Sequence, residues 1–322
     1  MAASTDATNG HQAAPSPEDL KVFELSQKYG AEAAKRHRSD GLSQFVRLKE
    51  AGSERFRALA EDPWADHAAL NAKEPVVKED TPYKFLILGA GYGGLLYAVR
   101  LIEAGLASGP DDIRFVDAAG GFGGTWWWNR YPNLHCDVES YVYMPLLEET
   151  GYVPKAKYAT GFELLEHADR IAAQWKLRDK ALFRTNVKTT QWNDATQLWN
   201  VDVTEGRGPG VPSRELKLQA QYVLIASGIL TNPHVPKIPE LENFAGPVFH
   251  TARWDYEITG GTPQDATLTG LEGKRVGVLG TGATAIQVVP VLAKYAKELY
   301  VFQRTPSGVS ARGQQSTDPE EW

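Results

Sequence analysis

Cysteine is nearly absent from this chain: Cys136 is the single one in 322 residues. That excludes a disulfide framework, a Cys-x-x-Cys redox pair and a thiolate metal site, and no metal is expected. No apolar run approaches the ~20 residues that a membrane span needs, and residues 1–12 lack a basic-then-apolar signal pattern. A basic excess is missing too. With a net charge of −6 and a pI near 5.7 there is no field to draw nucleic acid. What remains is ordinary globular composition, 42% hydrophobic and 23% charged, with room for one large or two medium domains. These bounds point to a soluble, cytoplasmic protein.

The chain is organised around Lys84–Gly94. Phe85–Leu88 reads as a buried strand that runs into Gly89-x-Gly91-x-x-Gly94 and then an apolar helix. The three glycines serve different physical ends. Gly89 permits the turn, Gly91 lets the backbone approach a pyrophosphate, and Gly94 lets helix and sheet pack closely. The helix start would aim free N–H groups at the phosphates. Ile113–Asp117 reads as the next strand, and Asp117 falls about 20 residues past the glycines, where a carboxylate would hold a ribose hydroxyl. The pattern predicts a dinucleotide site.

A second such unit follows. Lys274–Leu279 reads as a buried strand leading into Gly280-Thr281-Gly282-Ala283-Thr284-Ala285 and another apolar helix, with Ala285 replacing the third glycine. Its next strand, Glu298–Phe302, ends in Gln303-Arg304-Thr305. A basic residue there suits a 2′-phosphate, hence NADP rather than NAD, although a solvated surface arginine fits as well. Two nucleotide units imply two cofactors, and the economical pair is a flavin with a nicotinamide. The fold class expected is therefore α/β, with two Rossmann-like dinucleotide-binding units.

Between them lies the densest stretch, Gly120–Tyr143. Its glycines permit irregular backbone, and Trp126, Trp127 and Trp128 have no single helical or strand period. They suit either a core or the wall around a flat ring. Asp137 is close in sequence to His135 and Arg130, which would set its charge state. Phe162–Leu177 reads as an amphipathic helix. Phe183–Val187, Thr190–Asn193, Trp199–Val203 and Leu216–Ile225 read as strands, the last delivering a small-residue turn, Ala226–Gly228, open to a ligand.

Five segments result. Residues 1–17 read as a disordered tail, and 18–80 as a helical extension that begins with Ser16 as cap and Pro17 at the first position. That extension reads as amphipathic packing material, and nothing in it is expected to carry chemistry. Residues 81–231 form the first part of an FAD domain. Residues 232–273 are a linker whose start, Asn232–Pro239, holds three prolines, and 274–322 are part of an NADP domain.

Phe244, Gly246, His250 and Trp254 stand in the spacing Phe-x-Gly-x-x-x-His-x-x-x-Trp, followed by Asp255. This resembles the fingerprint of Baeyer–Villiger monooxygenases, between the two nucleotide motifs as in that family. Gly123–Trp126 through Tyr131-Pro132 to Asp137 is similar to its second signature, with Asn133 where glycine or methionine is usual. The likeness runs from about Leu20 to Arg304, and the extension resembles that of longer, often fungal, members.

The resemblance implies a fold, cofactors and roles. Gly89, Gly91, Gly94 and Asp117 would hold the ADP half of FAD. Thr125, Trp126, Trp127, Trp128, Asp137 and Tyr143 would line the flavin, and Val187 would touch its adenine end. His135, Cys136 and Asp137 would approach the nicotinamide. Thr281, Gly282, Ala283, Thr284, Ala285, Ile286 and Gln287 would cradle the NADP pyrophosphate, with Arg304 and Thr305 on the 2′-phosphate. His250 and Trp254 would couple the domains. The implied activity is NADPH-dependent insertion of one oxygen atom from O2 beside a ketone carbonyl, giving an ester or lactone, in secondary metabolism. Family members continue for a few hundred residues beyond the position of Trp322, and the family's active-site arginine lies in that further part. A truncated, non-catalytic FAD-binding remnant is therefore one alternative reading. An N- or S-hydroxylating flavin monooxygenase is the other, and Trp254 and the tryptophan run count against it.

Overall fold

A computed structural model describes residues 16–79, 81–318, 320 and 322. They divide after Gln44 into two compact units. Most of the expected tail, residues 1–15, lies outside the described residues.

The first unit is built on α1 (Pro17–Arg36). Ser16 Oγ accepts from the Asp19 N–H at 3.1 Å and the Asp19 carboxylate accepts the Ser16 N–H at 2.9 Å, a reciprocal capping box with proline in the first turn. The helix buries none of its own residues.

The second unit opens with β1 (Phe45–Arg47), α2 (Glu54–Ala58) and α3 (His67–Asn71). The expected helical extension is thus mostly loop after Arg36, held by short helices and a small core of Leu48, Ala51, Phe56 and Ala60. The first nucleotide unit follows as β2 (Tyr83–Leu88), α4 (Tyr92–Glu103) and β3 (Ile113–Val116). Short helices α5 (Thr125–Trp128), α6 (Ser140–Tyr143) and α7 (Leu147–Thr150) lead to the amphipathic α8 (Gly161–Gln174). Four strands come next: β4 (Ala181–Leu182), β5 (Thr185–Asn193), β6 (Leu198–Glu205) and β7 (Arg214–Ile225).

These strands form one six-stranded sheet in the order β4-β3-β2-β7-β6-β5. Its left part is parallel, with Phe85 beside Ile113 on one side and Tyr222 on the other, while β5, β6 and β7 form an antiparallel meander. Two separately expected strands are one, since β5 runs through with a register shift between Val187 and Thr189. Helices α4 and α8 cover the parallel part through Leu95, Ala98, Val99, Ala168 and Ile171 against Phe85, Ile87, Ile113 and Phe115.

The proline-rich stretch is not a free linker. Within it β8 (His234–Pro236) pairs antiparallel with β1, Val46 opposite Val235, so the chain returns to its own extension. After α9 (Tyr256–Thr259), the second nucleotide unit is β9 (Arg275–Leu279), α10 (Ala283–Tyr295) and β10 (Glu298–Phe302), with the two strands parallel and in register. Helix α10 packs Val288, Val291 and Leu292 on Trp254, Leu268 and the Tyr131–Leu134 segment.

Candidate functional site

A cleft of 1190 Å³ opens at the carboxyl ends of β2 and β7. Open α/β sheets hold ligands at that edge. Its floor is made by backbone that only glycine permits. Gly89 has φ of +120°, and a Cβ there would collide with the Ala226 carbonyl. Gly124 has φ of +58°, and its Cβ would stand 2.9 Å from the Cα of Gly91. Two glycine loops therefore close on each other, tied by the Gly123 N–H to the Ala90 carbonyl at 3.1 Å. Gly91 caps the 12-residue α4 without a side-chain partner, so the first N–H groups of that helix face the cleft free of protein caps. Gly94 does not line the cleft. It lets α4 lie against the Gly89 carbonyl and Ile87.

Asp117 closes the turn. Its Oδ2 accepts from the Ala90 N–H at 2.6 Å and its Oδ1 from the Ala119 N–H at 2.7 Å. Burial pushes the carboxyl pKa above its ordinary value, and those two bonds pull against it. The carboxylate keeps acceptor capacity on each oxygen for a hydroxyl in the cleft.

The tryptophan run separates into different environments. Trp126 and Trp128 are buried and also line the cleft, so they are core and wall together. Trp126 Nε1 donates to the Tyr143 hydroxyl at 3.0 Å. Trp127 points elsewhere, with Nε1 on Asp62 at 2.7 Å and its ring 4.5 Å from the Arg130 guanidinium. Arg130 also stacks on Trp64 at 4.8 Å, so it sits between two indoles. Thr125, Tyr143 and Val187 line the cleft as well, as do Ala226, Ser227 and Gly228.

His135, Cys136 and Asp137 lie outside that lining. His135 borders a neighbouring 290 Å³ hollow with Trp126 and Tyr131, and its ring Nδ1 is 2.9 Å from the Asn133 carbonyl. Cys136 is buried, with its carbonyl accepting Arg312 Nη1 at 2.8 Å, while Asp137 is exposed.

The second glycine turn does not share the cleft. Gly280 has φ of +101° and Gly282 caps the 13-residue α10. Thr281 Oγ1 donates to the Thr305 carbonyl at 3.2 Å and accepts from Gln303 Nε2 at 3.0 Å, which sets the end of β10, with Arg304, beside the turn. Ala283 is exposed, and Thr284 hydrogen-bonds the Tyr131 hydroxyl. Ala285 packs inward, Ile286 is half-buried, and Gln287 is committed within the protein, its Oε1 accepting the His135 N–H at 2.7 Å.

The fingerprint residues act as a clasp. Trp254 is buried with Nε1 on Thr259 Oγ1 at 3.0 Å and Phe249 edge-on to its ring. His250 Nδ1 accepts the Ala252 N–H at 3.1 Å, capping a short turn. Phe244 is exposed, but its carbonyl and that of Gly246 are both gripped by the Arg55 guanidinium.

Residues with no local signal also line the cleft: Lys49, Glu61, Asp62, His67, Arg184 and Arg253. Arg184, in left-handed backbone at φ of +57°, is buried against Glu205 at 3.2 Å, and Glu205 also holds Arg214 at 2.8 Å. Arg253 lies 3.9 Å from the Trp128 ring, and burial pushes its pKa down to about 10. Among the described residues no group of three His, Cys, Asp or Glu is placed to hold a metal. No helix among them is long and apolar enough to cross a membrane.

Fold and cleft together define a dinucleotide-binding α/β protein. The chain belongs to the flavin-binding monooxygenase-like family, whose model matches residues 140–321. It is 77% identical over all 322 residues to the polycyclic ketone monooxygenase of Thermothelomyces thermophilus, covering 100% of this chain and 48% of that protein. It is 51% identical over 274 residues to the FAD-binding monooxygenase andJ of Emericella variicolor, 84% of this chain and 42% of that one. The solved structure of the polycyclic ketone monooxygenase from Thermothelomyces thermophila superposes with a TM-score of 0.92 over 95% of this chain and 48% of that one, at 79% identity. A steroid monooxygenase bound to NADP gives 0.61 at 33% identity, over 75% and 42%. The chain thus spans about half the length of the relatives it matches.

Proposed function

We propose that this chain supplies the FAD-binding cleft and part of the NADPH site of a Baeyer–Villiger-type monooxygenase that inserts one oxygen atom from O2 beside a ketone carbonyl. The observation that carries the reading is the cleft built from two interlocked glycine loops and walled by Trp126, Trp128 and Tyr143. A side chain at Gly91 or Gly124 would push the two loops apart, and glycine at both keeps bare backbone at the cleft floor where a pyrophosphate can approach, so the residues present fit the cofactor. The likeness to a polycyclic ketone monooxygenase and to a steroid monooxygenase bound to NADP supports the same reading.

In this assignment residues 81–231 form the FAD domain, 232–273 a clasp and 274–322 part of the NADP domain. Bound flavin would supply the two-electron chemistry that accepts hydride and activates oxygen. The protein's own part is to bind and orient. Gly91, Gly124 and the start of α4 would receive the pyrophosphate, Asp117 a ribose hydroxyl, and Val187 the adenine end. Trp126, Trp128 and Tyr143 would exclude water from a flat ring. Thr281, Gly282 and Ala283 would meet the second pyrophosphate and Arg304 with Thr305 a 2′-phosphate. Asp137, exposed next to buried Cys136, would face the nicotinamide, with His135 beside it. Gln287 would act by holding the His135 backbone rather than by touching phosphate. The substrate class is a ketone, and the single buried thiol suits the cytoplasm.

The test is the visible spectrum of the purified chain before and after anaerobic NADPH. A yellow protein that bleaches is expected. A protein that takes up no flavin would overturn the cofactor assignment, and flavin bound but not reduced would overturn the NADPH assignment.

A further inference from the structure

The segment Leu48–Asn71 lies along one side of the cleft and is tied to both of its loop ends. Lys49, Glu61, Asp62 and His67 face the cleft from it. At the tryptophan end, Asp62 Oδ2 accepts from the Gly120 N–H at 2.8 Å and from Trp127 Nε1 at 2.7 Å. There too Trp64 Nε1 donates to the Trp128 carbonyl at 3.4 Å, and the Glu61 carbonyl accepts Arg253 Nε at 3.0 Å. At the other end, Asn71 Nδ2 donates to the Arg207 carbonyl at 3.0 Å and Asn71 Oδ1 accepts Arg184 Nη1 at 3.0 Å. His67 Nδ1 lies 3.3 Å from the same nitrogen. Both loops back directly onto the segment. A Cβ on Gly120 would stand 2.6 Å from that of Ala65, and one on Gly208 would stand 2.7 Å from the His67 ring.

We propose that Leu48–Asn71 is a cofactor-retaining strap: it holds the Gly120–Trp128 loop and the Gly206–Gly208 loop around a bound dinucleotide and sets how slowly that dinucleotide leaves. This rests on the cleft being a dinucleotide site. A ligand enclosed on several sides leaves only when a wall opens, and here opening breaks the bonds that span from the strap to the two loops. Asp62 carries most of the hold, because one carboxylate oxygen collects two donors from the tryptophan loop, and hydrogen bonds to a carboxylate are the stronger kind. His67 is a positioning residue at the far end. Such contacts act mainly on release rather than on association.

The experiment loads the 322-residue chain with FAD and follows the recovery of flavin fluorescence after dilution, for wild type, Asp62→Ala and His67→Ala. Asp62→Ala is expected to release FAD about tenfold faster, one charged hydrogen bond's worth. His67→Ala should do so about threefold faster on the same scale, with association rates unchanged in both. Melting of the FAD-free proteins separates retention from general loosening. His67→Ala removes one long contact and the ring's packing against Gly208, a smaller loss than Asp62→Ala, so it carries the test if Asp62→Ala does not fold. Unchanged release in the folded variants overturns the strap, as does faster release matched by an equal loss of FAD-free stability. A wild-type chain that takes up no FAD overturns the dinucleotide reading itself, and the strap with it.

Discussion

Acidification should destabilise this protein through the fingerprint histidine. His250 Nδ1 accepts the Ala252 N–H at 3.1 Å, and a ring nitrogen that accepts carries no proton, so the folded state needs the neutral ring. Burial, and after it the Arg253 guanidinium, push its pKa down from 6.5 to about 4. In the unfolded chain it titrates near its ordinary value. Between those values the unfolded state binds the extra proton, so this stability is complete above pH 6.5 and drains away as pH falls towards 4. The two pKa values give a loss of about 2 kcal/mol between pH 7 and pH 5, and about 3 kcal/mol by pH 4. Urea unfolding followed by circular dichroism at pH 7, 6 and 5 measures it, provided the slope against urea stays constant. The comparison is His250→Asn, which keeps an acceptor for Ala252 but does not titrate. The stability advantage of wild type over the variant should shrink by about 2 kcal/mol from pH 7 to pH 5. Asp117, whose raised pKa makes it lose stability as pH rises, works in the opposite sense but is common to both proteins and cancels. Parallel curves, within about 0.5 kcal/mol, would refute the assignment of a buried neutral His250.

Three further outcomes are expected. Glu205→Gln leaves the buried Arg184 guanidinium with only neutral acceptors, and the urea midpoint should fall by the equivalent of about 3–5 kcal/mol. The double variant Arg184→Met, Glu205→Leu should recover most of that, because no buried charge is left unpaired and the half-exposed Arg214, which also loses Glu205, can turn to water. Gly124→Ala forces a side chain into φ of +58° and against Gly91, and FAD affinity measured by equilibrium dialysis should fall at least about tenfold. Arg304→Ala should raise the NADPH dissociation constant about tenfold while leaving NADH unchanged, and equal effects on both would remove the 2′-phosphate role.

What could be read without a structure was local. Ser16, Pro17 and Asp19 specify a helix start within four residues, and the capping box is there. Phe85–Gly94 and Val276–Ala285 each carry a strand, a turn with positive φ and a helix start in one short run, so neighbouring residues alone dictate both nucleotide turns. The tryptophan run stayed ambiguous in sequence because periodicity offers only the choice of core or surface. Packing made Trp126 and Trp128 both buried and cleft-lining, and gave Trp127 to Asp62.

Tertiary structure alone decided which distant residues complete the cleft. The extension looked like packing material, yet Asp62 meets Trp127 65 positions away and Asn71 meets Arg207 at 136. His234–Pro236 reads as an extended linker because prolines suppress helix, but whether an extended strand pairs depends on a partner, here Phe45–Arg47. Arg130 and Asp137 are close in sequence, but stacking between two indoles takes the arginine elsewhere. Backbone conformation near a glycine or a cap is set by sterics over a few bonds, and so it is written in the sequence. Pairing, burial and charge at the cleft depend on where separate segments meet, and only the folded chain sets that.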